Sequence, residues 1–165
     1  MEWFDKLSAS WVKANPHEDY SVLPPLVRVA RISLLMETFQ REAVRPFDLT
    51  PSDYGVLAAL RRSGTPYCLA PSALYGVLER SSGGMTKMLK RLEGLELIER
   101  LASAEDGRSS LVQLTKKGQD LEKEVFTTYL ARSRELLGDL SKRELQDLDA
   151  ALEKLLLHFE NYFYR

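Results

Sequence analysis

One cysteine, Cys68, and two histidines, His17 and His158, are all the chain has of the side chains that most often hold metals or carry thiol chemistry. One thiol builds no disulfide framework, and no spacing resembles a zinc site, so neither a structural metal nor a cofactor is expected. Net charge is also lacking, because 23 Lys and Arg face 24 Asp and Glu. That balance excludes a general polycation and leaves only local patches to be found. No apolar run is long enough to span a bilayer, and MEWFDKLSASW has no signal-peptide core; a cytoplasmic protein without a membrane partner is expected. A nucleophile elbow, a phosphate-cradling glycine loop and a His–Cys pairing are all missing. The carboxylates fall at salt-bridge spacing, so catalysis is not expected.

What is present suffices for one real core: 165 residues, 44% of them hydrophobic and 28% charged, a soluble globular composition. The informative stretch runs from Pro71 to Thr115. On a helical wheel from Ser82 to Leu92, Met85, Met88, Leu89 and Leu92 form one stripe at i, i+3, i+4, i+7, the mark of a face turned to a core. The opposite arc holds Gly83, Thr86, Lys87, Lys90 and Arg91, and from Arg80 to Arg91 there are four cations and no acid. Such an arc suits a major groove, with Thr86, Lys87 and Lys90 at base edges and Ser82 and Arg91 at phosphates. Ser81 is the expected N-cap, and Gly83 and Gly84 would allow close backbone approach. An ordinary amphipathic helix with a solvated basic face would carry the same pattern.

Beyond this helix, Leu97 to Leu101 and Ser109 to Leu114 read as two strands, joined by Ala102 to Arg108 with Asp106-Gly107 as turn chemistry. In a hairpin tip, Arg108 would enter a narrow minor groove with Asp106 orienting it, or the two would form a plain surface ion pair. Thr65 to Leu69 is expected to be extended, as a third strand.

Elsewhere the chain reads as helices. Residues 1 to 21 carry Trp3, Phe4 and Trp11, aromatics that should dock on something. A seam at Val22, Pro25, Val29, Ile32, Met36, Phe39 and Ala43 follows. Thr50-Pro51-Ser52-Asp53 is a helix start with a cap, Pro at N1 and an acid at N3. Pro71 opens the next helix, with Ala70 a poor cap. Thr115 caps a helix that breaks near Gly138, and Ser141-Lys142-Arg143-Glu144 is a capping box before Leu145, Leu148, Leu152, Leu155, Phe159 and Tyr162. Two seams at opposite ends expose more apolar face than one reader can cover. Ile32, Met36, Leu148, Leu152, Leu155 and Phe159 are therefore expected to pack against a second copy, with a monomeric helical core as the alternative. A two-fold dimer would match an inverted repeat in double-stranded DNA with half-sites about 10 bp apart.

The run SSGGMTKMLKRLEGLELIERLASAEDGRSSLVQLTKKG, with the preceding LTPSDYGVLAALRRSGTPYCLAPSALYGVL, resembles the multiple-antibiotic-resistance-regulator (MarR) family of bacterial transcription factors. The most specific elements are Asp106-x-Arg108 and Leu114-Thr115-x-x-Gly118. Trp11, LAALRRSGTPY and SSGGMTK are similar to the PecS-like, urate-responsive branch. The resemblance implies a mainly α fold with a small β-wing (α+β): a winged helix-turn-helix reader at 47–115 with dimerisation helices at 22–46 and 116–165, intertwined as one domain over 1–165. It also implies a ligand-responsive regulator, a repressor working as a homodimer; a winged helix that binds protein, or DNA without a ligand, is the alternative. Three positions depart from the family. Glu96 stands where glycine is usual, so the recognition helix is expected to end differently, using Gly94 as its terminating glycine rather than a left-handed residue at 96. Gly55 and Met88 replace the aspartate and second arginine of the urate branch, while Trp11 and Arg100 keep its tryptophan and first arginine. The resemblance places these four in the ligand pocket, where the changes favour a small aromatic acid or phenol over urate. Sensing cysteines of the family lie in the first long helix, which has none here, so Cys68 is expected to be buried and inert.

Overall fold

The computed structural model describes residues 2–14, 16–78, 82–102 and 110–164. In chain order these form α1 (Glu2–Ala14), α2 (Leu23–Val44) running into a 3₁₀ turn (Arg45–Phe47), α3 (Pro51–Arg62), β1 (Cys68–Leu69), α4 (Pro71–Leu78), α5 (Ser82–Gly94), β2 (Ile98–Ala102), β3 (Ser110–Leu114), α6 (Lys116–Leu137) and α7 (Lys142–Phe163). The three strands form one antiparallel sheet in the order β1-β3-β2. β2 lies one residue later than the expected run, β3 runs from Ser110 to the expected end at Leu114, and the third strand forms as two residues, Cys68 opposite Gln113 and Leu69 opposite Val112. Because β1 is an edge strand of only two residues, Cys68 is half-buried rather than buried as expected.

Local chemistry explains the helix starts. Thr50 Oγ1 accepts from the Asp53 N–H at 3.1 Å while the Asp53 carboxylate accepts from the Thr50 N–H at 2.9 Å, a reciprocal cap for α3. Ser141 and Glu144 repeat it for α7, and Thr115 caps α6. For α7 the acid end is visible in its ionisation, since hydrogen bonds from Ser141 hold the Glu144 carboxyl below its usual range.

The end of α5 overturns one expectation. The helix does not terminate through Gly94. Glu96 takes the left-handed conformation (φ 60°), its N–H reaches Glu93 O at 2.9 Å, and the Leu97 N–H reaches Leu92 O at 3.0 Å. This paired pattern is a Schellman cap with glutamate at the glycine position. Surrounding bonds hold it there: Thr115 Oγ1 donates to Glu96 O at 2.7 Å, and Lys117 Nζ reaches Leu95 O at 2.8 Å and the Glu96 carboxylate at 3.2 Å.

One core joins α3, α4, α5, the sheet and the first half of α6, through Val56, Leu57, Leu60, Leu74, Met85, Leu89, Leu92, Val112, Leu114 and Val125. The predicted stripe of α5 is therefore the packed one, with Met88 partly buried against the same cluster. The α2 seam divides into two uses. Ala43 and Val44 are buried at its foot and Phe39 meets the Tyr129 ring edge-on at 5.3 Å, whereas Ile32 remains 52% exposed, with Leu34 and Leu35 beside it. α7 has no buried residue along its whole length.

Candidate nucleic-acid interface

α5 is fixed to the core by Met85, Leu89 and Leu92, so its other face is turned outward. Gly84, Thr86, Lys87 and Lys90 are exposed on that face. Among the described residues, neither Lys87 nor Lys90 has an acidic partner, so both ammonium groups are available to an anion. Ser81, Asp106 and Arg108 lie outside the described residues, as do the side-chain surroundings of Ser82 and Gly83. The strands that carry the wing tip pair over five positions, from Ile98 opposite Leu114 to Ala102 opposite Ser110.

Arg91 is placed differently from the expected phosphate contact. Its guanidinium binds inward: one NH₂ group donates to the Asp53 carboxylate, and the other to Asp48 O at 2.7 Å. Asp53 is 2% exposed, and a buried carboxylate requires such partners. The acid at N3 was legible as a capping residue; its second partner, 38 positions away, was not.

The four residues assigned to a ligand pocket are not gathered in one described cavity. Trp11 stacks on Tyr20 at 6.2 Å and meets Phe4 edge-on at 6.3 Å, and Phe4 lies under the Arg28 guanidinium at 4.0 Å. Those contacts tie α1 to the start of α2. Arg100 pairs with Glu93 at 3.0 Å, because β2 runs back alongside the end of α5. Met88 packs on the core. Of the four, Gly55 borders a described cavity, one of about 200 Å³ shared with Gln40, Tyr54, Arg62 and Tyr129.

A neighbouring cavity of about 420 Å³ shares Tyr54, Ala58 and Arg62 and adds Arg61, Glu122, Lys123 and Phe126. Burial pushes the Tyr54 hydroxyl up to about 12, assisted by the Glu122 charge. Burial likewise raises the Glu122 carboxyl, against the pull of Arg61. Sequence reasoning missed these residues, since an acid at helix spacing carries no sign that a tertiary seam will bury it.

Comparison with known proteins agrees with this geometry. Residues 47–109 match the model of the MarR family. The chain is 31% identical over 149 residues to the HTH-type transcriptional regulator PecS of Dickeya dadantii, covering 89% of this chain and 90% of that protein. It is 34% identical over 111 residues to the multiple antibiotic resistance protein MarR of Salmonella typhimurium, covering 67% and 73%. Among solved structures, a mutant MarR from E. coli complexed with operator DNA superimposes with a TM-score of 0.68 at 28% identity, covering 84% of this chain and 99% of that one. A core-anchored helix with an exposed basic face, a three-stranded wing sheet and kinship across most of the chain lead to one conclusion: this protein is a member of the MarR family of DNA-binding transcriptional regulators.

Proposed function

We propose that the chain is a repressor that binds an inverted-repeat operator as a homodimer and releases it when a small aromatic acid or phenol binds. The observation that carries the reading is α5 itself: Met85, Leu89 and Leu92 buried behind, Thr86, Lys87 and Lys90 exposed in front. Thr86, Lys87 and Lys90 read base edges, and Arg108 enters the flanking minor groove with Asp106 orienting it. The dimer reading is supported by α7, whose Leu148, Leu152, Leu156 and Leu157 are 42–57% exposed in the single chain. Apolar cavities of about 520 and 500 Å³ lie along the line where α2 and α7 face each other, bordered by Val29, Ile32, Leu152 and Leu155. A second copy would close them.

The effector would sit in the adjoining cavities around Tyr54, where aromatic walls and the Arg62 guanidinium lie between α2, α3 and α6. A ligand there acts only through its differential affinity for the two arrangements of the reader helices.

Selection of bound duplexes from a random pool, followed by gel shift, tests the DNA claim. Lys87→Ala and Arg108→Ala should each weaken the selected operator and relax its sequence preference; unchanged affinity in both would refute it. Urate and a panel of hydroxybenzoates, titrated against Trp fluorescence and operator release, test the effector. Release by a hydroxybenzoate is expected, and tight binding of urate with release at micromolar concentration would overturn the aromatic-acid reading.

A further inference from the structure

We propose that Arg91 is a latch that sets the angle of the recognition helix against the dimerisation helix, a positioning residue rather than a DNA contact. The inference rests on the reading that α5 enters the groove, and it concerns what holds α5 at the required pitch.

The latch is built on the elbow between the two parts of the fold. α2 continues through the 3₁₀ turn to Asp48, which takes a left-handed conformation (φ 54°) with its N–H on Arg45 O at 3.1 Å. Two residues later Thr50 opens α3. Asp48 O therefore follows the end of the dimerisation helix, and the Asp53 carboxylate follows the start of the reader. Arg91, on the third turn of α5, holds both at once. The Asp53 oxygen it uses is the same Oδ2 that accepts from the Thr50 N–H at 2.9 Å and the Thr50 hydroxyl at 2.7 Å. One oxygen thus ties the cap of α3 to the recognition helix.

A planar fork with donors on both arms fits this double attachment, and a single ammonium does not. One arm of Arg91 is held by the buried Asp53 carboxylate and the other by Asp48 O at the surface. The side chain is 40% exposed, yet both arms are engaged, in contrast to Lys87 and Lys90. In a two-fold dimer, rotation of α5 about this elbow would change the separation of the two recognition helices. The latch therefore specifies half-site spacing.

The test measures binding of wild type, Arg91→Lys and Arg91→Ala to the selected operator and to versions lengthened or shortened by a single base pair, over a range of salt. Wild-type binding to any selected duplex establishes the DNA reading first, so failure there is separable from failure of the latch. Arg91→Lys keeps the charge and most of the stem, which keeps the comparison available if the alanine variant does not fold. For the latch, the Arg91 variants lose affinity at the preferred spacing and discriminate less among the three lengths, while the slope of log K against log salt stays at the wild-type value. A slope reduced by about one in Arg91→Ala, with spacing preference intact, is the signature of a lost phosphate contact and overturns the proposal. Wild-type behaviour of both variants in spacing preference overturns it equally.

Discussion

Glu122 of α6 faces Arg61 of α3 at 3.7 Å across the seam between those two helices, with 5% of its surface exposed. The separation is too long for a hydrogen bond. Burial therefore outweighs the ion pair and raises the Glu122 carboxyl from its ordinary value. With the folded pKa above the unfolded one, the folded chain binds the proton more readily, and stability falls as pH rises through the carboxylate range. Above the folded pKa the loss is complete. Glu122→Gln removes it, so the variant should melt above the wild type at neutral pH, and the gap should close as pH drops below the ordinary carboxylate range. Thermal melts across pH check this; a gap independent of pH would exclude ionisation of Glu122 as its cause.

Two glycines should respond in opposite directions to alanine. A Cβ on Gly118 would stand 1.9 Å from Leu97 O and 2.9 Å from Leu97 C, against backbone where the wing meets α6. Overpacking of this kind costs about 1–3 kcal/mol or more. A Cβ on Gly94 would meet nothing within 4 Å, and the residue is the last of α5 with helical backbone, so alanine there should add up to about 1 kcal/mol. Denaturant unfolding of both variants reads the contrast.

Lys90→Ala removes an exposed cation without touching the packed stripe. It should leave the melting temperature unchanged and cost about 1–3 kcal/mol in operator affinity if it reads a base. Gel shift against the selected operator and single-base variants shows which base loses its discrimination.

Leu152→Asp places a carboxylate on the apolar face that α7 leaves uncovered. In the single chain this face is open, so the monomer fold should survive, while association should weaken by several kcal/mol because the charge would be buried between copies. Sedimentation should give monomer with retained helical circular dichroism. A stable dimer at micromolar concentration would move the interface elsewhere.

Thr50→Ala removes the hydroxyl that accepts the Asp53 N–H and donates to Asp53 Oδ2. Loss of such a cap costs about 1 kcal/mol. Thermal unfolding measures it, and Ser141→Ala gives the same chemistry at α7, away from the reader.

Much of this fold was legible because its signals are local. The caps at Thr50, Thr115 and Ser141 are contacts between a residue and the one three places on. The burial of Met85, Leu89 and Leu92 repeats at helix period, and the β2–β3 hairpin joins neighbouring runs. Where the sequence reading failed, the deciding contact was remote. Glu96 adopts a glycine-like conformation because Thr115 and Lys117, at the start of the next helix, hold it.

The amino-acid sequence by itself determined the elements and the basic face of α5, since spacing, capping and charge along a chain are enough to say which side of a helix must be buried. Tertiary structure alone decided which of the described cations on that face take an acidic partner. Lys90 and Arg91 are adjacent and alike in charge, yet only Arg91 comes within reach of a buried acid on another helix. Trp11 and Arg100 likewise took partners, Tyr20 and Glu93, that the resemblance did not foresee. The reason is physical: periodic burial is imposed residue by residue along one element, whereas an ion pair or a ring stack depends on two elements meeting at one angle, which no single stretch of sequence records.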